Sequence, residues 1–469
     1  MSQPNVVVIM TDQQRWDALG AAGNHRIRTP HLDRLAAEGA FVERAFVPVP
    51  LCIPSRAALF TGRYPSRSGL GPNSGFPLPV DAPNVASTLR AAGYRTILVG
   101  KDHLFGGEGL AHHFDHVVRY DHAGRAVDEK ADAEERALRA SRQGRFDEPF
   151  IERDAFDTAH SPTRRLTTAA IDAVGDAHAR PQPFFLWLSY PDPHPPYVVA
   201  EPYASMYRDH DLGMPATRPG ELDGKPPRQR LSHRLMGTAD YPPRDLQRLR
   251  EIYYGMVTFI DDEIGRFTQA LDDQGIGGDT IVVFMSDHGD YMGDHGMVRK
   301  SPAMYDCLVR IPLIIRWPGH ISPGRIANTL VSSIDLAPTL LDFAGLPPLP
   351  AAEGISLAPL LAGRARAHRD RVFGLYGSAG DAVTDAELAG IDLDAFRAEP
   401  HPWMGPLAMR GRMAMVRTAE WKLVHHQGAP GELYDLHADP DELINRFADP
   451  ACIAVRAELM GSLVDFLLE

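Results

Sequence analysis

Cys52 opens the run Cys52-Ile53-Pro54-Ser55-Arg56, and Phe60-Thr61-Gly62-Arg63 closes the same stretch. Proline suits the first turn of a helix and glycine its end, so the spacing predicts a helix over Ser55–Thr61 with the cysteine at its N-terminus. Free backbone N–H groups and the positive end of the helix dipole favour an anion there. Arg56 falls within the first turn, where its guanidinium can reach the same anion. The bland alternative is a buried apolar cysteine capping a core helix. Residues elsewhere in the chain decide between the two.

Val6–Met10 runs into Thr11-Asp12-Gln13-Gln14, and Thr280–Ser286 runs into Asp287-His288-Gly289-Asp290. Ligands of open α/β sheets gather beyond the C-terminal ends of the strands. Two carboxylates delivered there can share one divalent cation, with His288 as a nitrogen ligand. An Asp after a strand is by itself more often a turn former, but two such ends plus the cysteine element favour the metal. Lys101 and His103 follow the run Thr96–Val99 through Gly100. His194 follows Phe184–Ser189 in the turn Pro191-Asp192-Pro193-His194-Pro195-Pro196-Tyr197, and Lys300 lies a short loop beyond Asp287-His288. A lone loop His or Lys is usually a solvated surface group. These four follow predicted strands that can face one crevice, and a tetrahedral anionic ester needs several cationic donors plus an acid for its leaving oxygen.

Together the motifs resemble the type I, formylglycine-dependent sulfatases of the alkaline phosphatase superfamily. The elements that carry the resemblance are the Cys52–Arg63 signature, Gly100-Lys101-Asp102-His103, Pro193-His194-Pro195-Pro196-Tyr197, Asp287-His288 and Lys300, with weaker support from Glu432–Asp441 and Asn445. Where many arylsulfatases carry an Asp pair and an Asp-Asn pair, this chain has Asp12-Gln13 and Asp287-His288. Those features are similar to choline sulfatases and phosphonate monoester hydrolases, in which an active-site Asn stands where this chain has Asn73. Phosphonate hydrolases tend to lack the Lys-x-His pair that is intact here, which favours sulfate monoesters.

The resemblance implies that Cys52 is oxidised to formylglycine by a formylglycine-generating enzyme, and that its hydrated aldehyde attacks sulfur through a covalent sulfo-enzyme intermediate. It implies Asp12, Asp287, His288 and the Cys52-derived group as metal ligands, with Ca2+ first and Mn2+ or Mg2+ behind it. Gln13 and Asn73 orient the ester, and Arg56, Lys101 and Lys300 stabilise charge. His194 hydrogen-bonds to the transferring group, His194 or Lys300 protonates the leaving alcohol, and His103 is the base that releases sulfate. The rival activity is phosphonate or phosphate ester hydrolysis on the same scaffold. A rival of another class is a non-catalytic anion-binding protein with unmodified Cys52.

Short β-branched runs alternate with helical stretches, which predicts an α/β domain. The expected fold is alkaline-phosphatase-like: a large mixed, mostly parallel sheet flanked by helices, plus a small C-terminal domain with an antiparallel sheet and a terminal helix. Strands are expected at Val6–Met10, Thr96–Val99, Phe184–Ser189, Thr280–Ser286 and Pro312–Arg316. Helices are expected at Pro30–Glu38, Ser55–Thr61, Val85–Ala92, Thr163–Ala177 and Arg244–Gln274, the last with a core stripe at helical spacing. The catalytic domain is expected over residues 1–365, with pocket-shaping insertions at about 106–161 and 201–243, and a smaller subdomain over 366–469. That subdomain should hold strands at Met413–Thr418, Trp421–His425 and Glu432–Leu436 and close on a helix over Ala451–Leu468.

At 469 residues, 44% apolar and 23% charged, the chain has the composition of an ordinary globular enzyme. A net charge of −13 argues against a nucleic-acid or anionic-membrane partner, since phosphate binding needs a basic footprint. Three separated cysteines form no disulfide framework or zinc pattern. The chain enters a strand at Asn5 without a signal-type apolar segment, and the expectation is a cytoplasmic protein. A homo-oligomer is compatible with the sequence, but no interface stripe identifies one.

Overall fold

A computed structural model describes residues 3–65, 67, 77–120, 158–239, 241–378, 380–392, 395 and 406–469. Its strands run in chain order β1 (Asn5–Thr11), β2 (Ala40–Val42), β3 (Ala45–Phe46), β4 (Arg95–Lys101) and β5 (His116–Tyr120). They continue as β6 (Phe184–Ser189), β7 (Thr280–Ser286), β8 (Arg310–Ile311), β9 (Leu313–Arg316), β10 (Gly324–Ile326) and β11 (Val331–Ser332). The last four are β12 (Arg371–Tyr376), β13 (Met413–Thr418), β14 (Trp421–His426) and β15 (Glu432–Asp435).

Eight of these form the main sheet, in the order β10-β2-β9-β7-β1-β6-β4-β5. β1 lies parallel between β6 and β7, β4 is parallel to β6 and β5, and β9 is antiparallel to β7 and β2. The sheet is therefore mixed and mostly parallel. Its central strands are continuous apolar runs because helices cover both faces. Val6, Val8 and Met10 of β1 pack with Ala57 and Phe60 of the Cys52–Thr61 helix and with Leu89. Val7 and Ile9 face Leu166 of the Pro162–His178 helix and Ile260, Ile264 and Phe267 of the Pro243–Asp273 helix. The register pairs Thr11 with Ser286, Met10 with Ser189 and Gly100 with Ser189. Four strands thus end at one edge, and the residues after them share that edge.

Three details differ from the sequence reading. The helix of the cysteine element begins at Cys52 itself, so Pro54 falls in the first turn, where its missing N–H breaks no helical bond. The segment after Gly106 does not leave the sheet at once, because β5 forms its edge strand on β4. Within residues 201–243, Pro227–Met236 is helical, and Leu231 packs on Val383, Leu388 and Ala408.

The small C-terminal sheet runs β12-β13-β14-β15, antiparallel throughout. The terminal helix Ile453–Leu468 lays Leu459, Leu463 and Phe466 on Val416, Leu423 and Leu433. Ala58 of the cysteine-bearing helix joins the same cluster, so this sheet braces the far side of that helix. Among the described residues no helix is long and apolar enough to cross a membrane.

Candidate active site

Cys52 is the first residue of its helix and only 4% exposed. Its Sγ lies 3.0 Å from Lys300 Nζ, 3.4 Å from His288 Nε2, 3.6 Å from Asp12 Oδ1 and 3.8 Å from Lys101 Nζ. Asp12, Cys52, Asp287 and His288 each bring a ligand atom within 4.8 Å of the others. The edge shared by β1, β4, β6 and β7 therefore gathers nearly every expected site residue. Asn73 lies outside the described residues.

The turn after β1 is sharp. Gln13 has φ +73°, a left-handed conformation uncommon for a residue with a side chain. Its N–H donates to Asp287 Oδ1 (3.0 Å), and its carbonyl accepts from Tyr253 OH (3.0 Å). Its Nε2 donates to Asp290 Oδ2. The Lys101 element depends on Gly100, at φ +113°, where an added Cβ would sit 2.0 Å from the Ser189 carbonyl. Lys101 Nζ reaches Asp12 Oδ2 as a direct ion pair.

Arg56 was expected to touch the bound anion. Its guanidinium is instead buried between the two carboxylates, with Nη2 3.1 Å from Asp12 Oδ2 and Nε 3.0 Å from Asp287 Oδ2. Nη1 donates to the Lys101 carbonyl (3.0 Å) and Ser189 Oγ (2.8 Å). His288 Nδ1 pairs with its neighbour's carbonyl at Gly289 (2.9 Å), which turns Nε2 towards Cys52 and Lys300. His194 Nδ1 is likewise 2.6 Å from the Pro195 carbonyl.

The charges act on one another. Burial alone would raise Asp12, but Lys101, with His194, Lys300 and Arg56, holds it well below the usual carboxylate range. Burial and then the nearby Asp12 push Asp287 up, a repulsion that a shared cation would relieve. Burial and Asp12 oppose ionisation of Cys52, yet Lys101, Lys300 and His288 bring it down to about 5. The helix N-terminus at Cys52 thus favours a negative charge. His103 is depressed to about 2 by burial and then by Lys101, which keeps its imidazole neutral.

Three site residues escaped the sequence reading as functional groups: Ser189, Tyr253 and Asp290. Each had a signal of position only, at a strand end or on a helix face. In a second group, His31 with Asp261 and Asp262, the carboxylates are engaged by the surrounding fold. Asp261 accepts the backbone N–H groups of His31 (3.1 Å) and Leu32 (2.7 Å), and Asp262 accepts from Tyr203 OH (2.6 Å).

Comparison with known proteins gives the same picture. The family model described as Sulfatase matches residues 4–346. An arylsulfatase of Clostridium perfringens is 33% identical over 79% of this chain and 81% of its own length. A choline-sulfatase of Rhizobium meliloti is 28% identical over 96% of this chain and 83% of its own. Among solved structures, the phosphonate monoester hydrolase of Agrobacterium radiobacter superposes with a TM-score of 0.79 at 28% identity, covering 99% of this chain and 95% of that one.

Proposed function

The chain belongs to the sulfatase family, and on that premise we propose that it cleaves a sulfate monoester with an oxygen nucleophile derived from Cys52. One observation carries the reading. The Cys52 sulfur belongs to a four-residue ligand cluster with Asp12, Asp287 and His288, and Lys300 stands 3.0 Å and Lys101 3.8 Å from it. A cation site and two ammonium groups around one nucleophile suit a tetrahedral oxyanion ester.

The donor set fits a divalent cation. Asp12 and Asp287 offer carboxylate oxygens and His288 an imidazole Nε2. Gln13 Oε1, on the residue that follows Asp12, is buried and makes no hydrogen bond, which leaves a neutral oxygen without a partner. Oxygen donors with one nitrogen place calcium first, manganese second and magnesium third. When bound, such an ion lowers the pKa of an oxygen it holds and offsets charge on the ester. Cys52, converted to formylglycine by a formylglycine-generating enzyme, supplies a hydrated aldehyde in place of the thiol.

The remaining work belongs to side chains. Arg56 holds the two carboxylates side by side. Lys101 and Lys300 carry positive charge to the sulfuryl oxygens, and Asn73 orients the ester. His194 commits its Nδ1–H to Pro195, so its Nε2 accepts a hydrogen bond. Lys300 is then the donor of the proton that the leaving alcohol needs. His103 is assigned the proton-accepting role in the step that frees sulfate. Residues 1–365 form the catalytic unit in this reading, and 366–469 the subdomain that supports it.

A second reading, phosphonate monoester hydrolysis, is favoured by the 0.79 superposition and by His288 in the ligand set. Catalytic efficiencies on 4-nitrophenyl sulfate and a matched phenylphosphonate monoester separate the two, using protein whose Cys52 conversion is verified by peptide mass. Preference for the sulfate supports the sulfatase reading; preference for the phosphonate overturns it.

A further inference from the structure

Asp290 collects three donors on one buried carboxylate. Gln13 Nε2 and Tyr197 OH (2.6 Å) both reach Oδ2, and the Met292 N–H reaches Oδ1 (2.8 Å). Asp290 and Tyr197 are fully buried. Tyr197 closes the turn that carries His194, so one carboxylate joins three motifs: the end of β1, the end of β7 and the turn after β6.

Of the four polar groups of Gln13, three are tied and only Oε1 has no partner. A carboxamide can present either its oxygen or its NH2, and its hydrogen bonds alone decide which. A carboxylate only accepts, so Asp290 selects the NH2 end and turns the oxygen the other way. Leaving a buried acceptor unsatisfied is costly. That an unsatisfied oxygen stands on the turn delivering Asp12 points to a ligand for it.

We propose that Asp290 is a positioning residue, which fixes the Gln13 amide with Oε1 turned to the cation cluster of Asp12, Asp287 and His288, and which ties that amide through Tyr197 to the His194 turn. The proposal rests on the cation reading above. A carboxylate following Asp12 would present oxygen whichever way it turned. A neutral amide offers oxygen at only one end, so it needs a partner to keep that end in place.

The test strips the protein with a chelator and titrates it with calcium chloride and, separately, manganese chloride. Binding is followed by calorimetry and by melting temperature, so no readout depends on turnover. Asp290→Asn is expected to weaken cation affinity about 10- to 100-fold, the range for losing a partner that orients a ligand. Gln13→Ala should weaken it similarly, and Asp290→Asn added to Gln13→Ala should do little more, because the first residue acts through the second. Unchanged affinity in Asp290→Asn, or fully additive losses in the pair, overturns the proposal. Should Asp290→Asn fail to fold, Gln13→Ala carries the test, and unchanged affinity there overturns it equally. If the unmutated protein binds neither ion, the cation reading itself fails, a result distinct from a mutant that binds as well as the parent.

Discussion

Lys300 Nζ lies 3.0 Å from Cys52 Sγ, whereas Arg56, on the same helix as the cysteine, spends its donors on Asp12, Asp287, Ser189 and the Lys101 carbonyl. The cation at the nucleophile comes from a distant loop, and the cation of the signature motif serves the carboxylates. The two roles lead to different expectations.

Lys300→Ala should lower kcat/KM by about 10²–10⁴-fold on alkyl sulfates and by less on 4-nitrophenyl sulfate, whose leaving oxygen needs little help. A series of leaving groups of graded basicity checks this. An equal loss across the series would leave Lys300 as a charge donor only.

Arg56→Met should cost about 3–5 kcal/mol of stability, because it removes the shared cationic partner of two buried carboxylates. The readout is melting temperature in chelator and in calcium. Calcium should recover part of the loss, since a cation shared by Asp12 and Asp287 relieves the same repulsion. A melting temperature equal to that of the parent would sink the brace.

Cys52→Ser should release one equivalent of 4-nitrophenol from 4-nitrophenyl sulfate and then stop. A single hydroxyl can accept the sulfuryl group but has no second hydroxyl to expel it. Intact-protein mass should show one sulfuryl adduct, and steady turnover would contradict the diol mechanism.

Glu432 of β15 is buried and accepts from His426 Nε2 (2.7 Å) and Tyr434 OH, with Lys225 Nζ 3.9 Å away. Burial would raise its pKa, but His426, with Lys225 and Tyr434, brings it from 4.5 down to about 2. A folded value below the unfolded one contributes stability at all pH above about 4.5, and that contribution fades as pH falls towards 2. The shift corresponds to about 3 kcal/mol at neutral pH. Denaturation curves of Glu432→Gln against the parent should therefore differ most at pH 7 and converge in acid. A gap that stays constant with pH would refute the assignment.

β1 and β7 were legible because both faces are buried, which writes them as unbroken apolar runs. Asp12, Lys101, His103, His194 and Asp287 were legible as polar residues placed just where such runs stop. The strands β2, β3, β8, β10 and β11 have two or three residues each and carry no period. The partners of Arg56 were hidden for another reason: Asp12 and Asp287 are 44 and 231 residues away in the chain, and only the register of β1 on β7 brings them together. Asp290 had only its position after β7 as a signal, because its partners Gln13 and Tyr197 come from distant segments.

Every residue from Cys52 to Thr61 is buried, and this sets an order of events during synthesis. An enzyme that oxidises the Cys52 thiol cannot reach it once the crevice has closed. Closure waits for β7 to emerge, since Asp287 follows Arg56 by 231 residues. At ~5–20 residues per second, elongation keeps that window open for roughly 10–50 seconds. On the proposed function, conversion of the thiol is a race against the ribosome, and a chain that folds first would lock an inert cysteine inside an otherwise complete site.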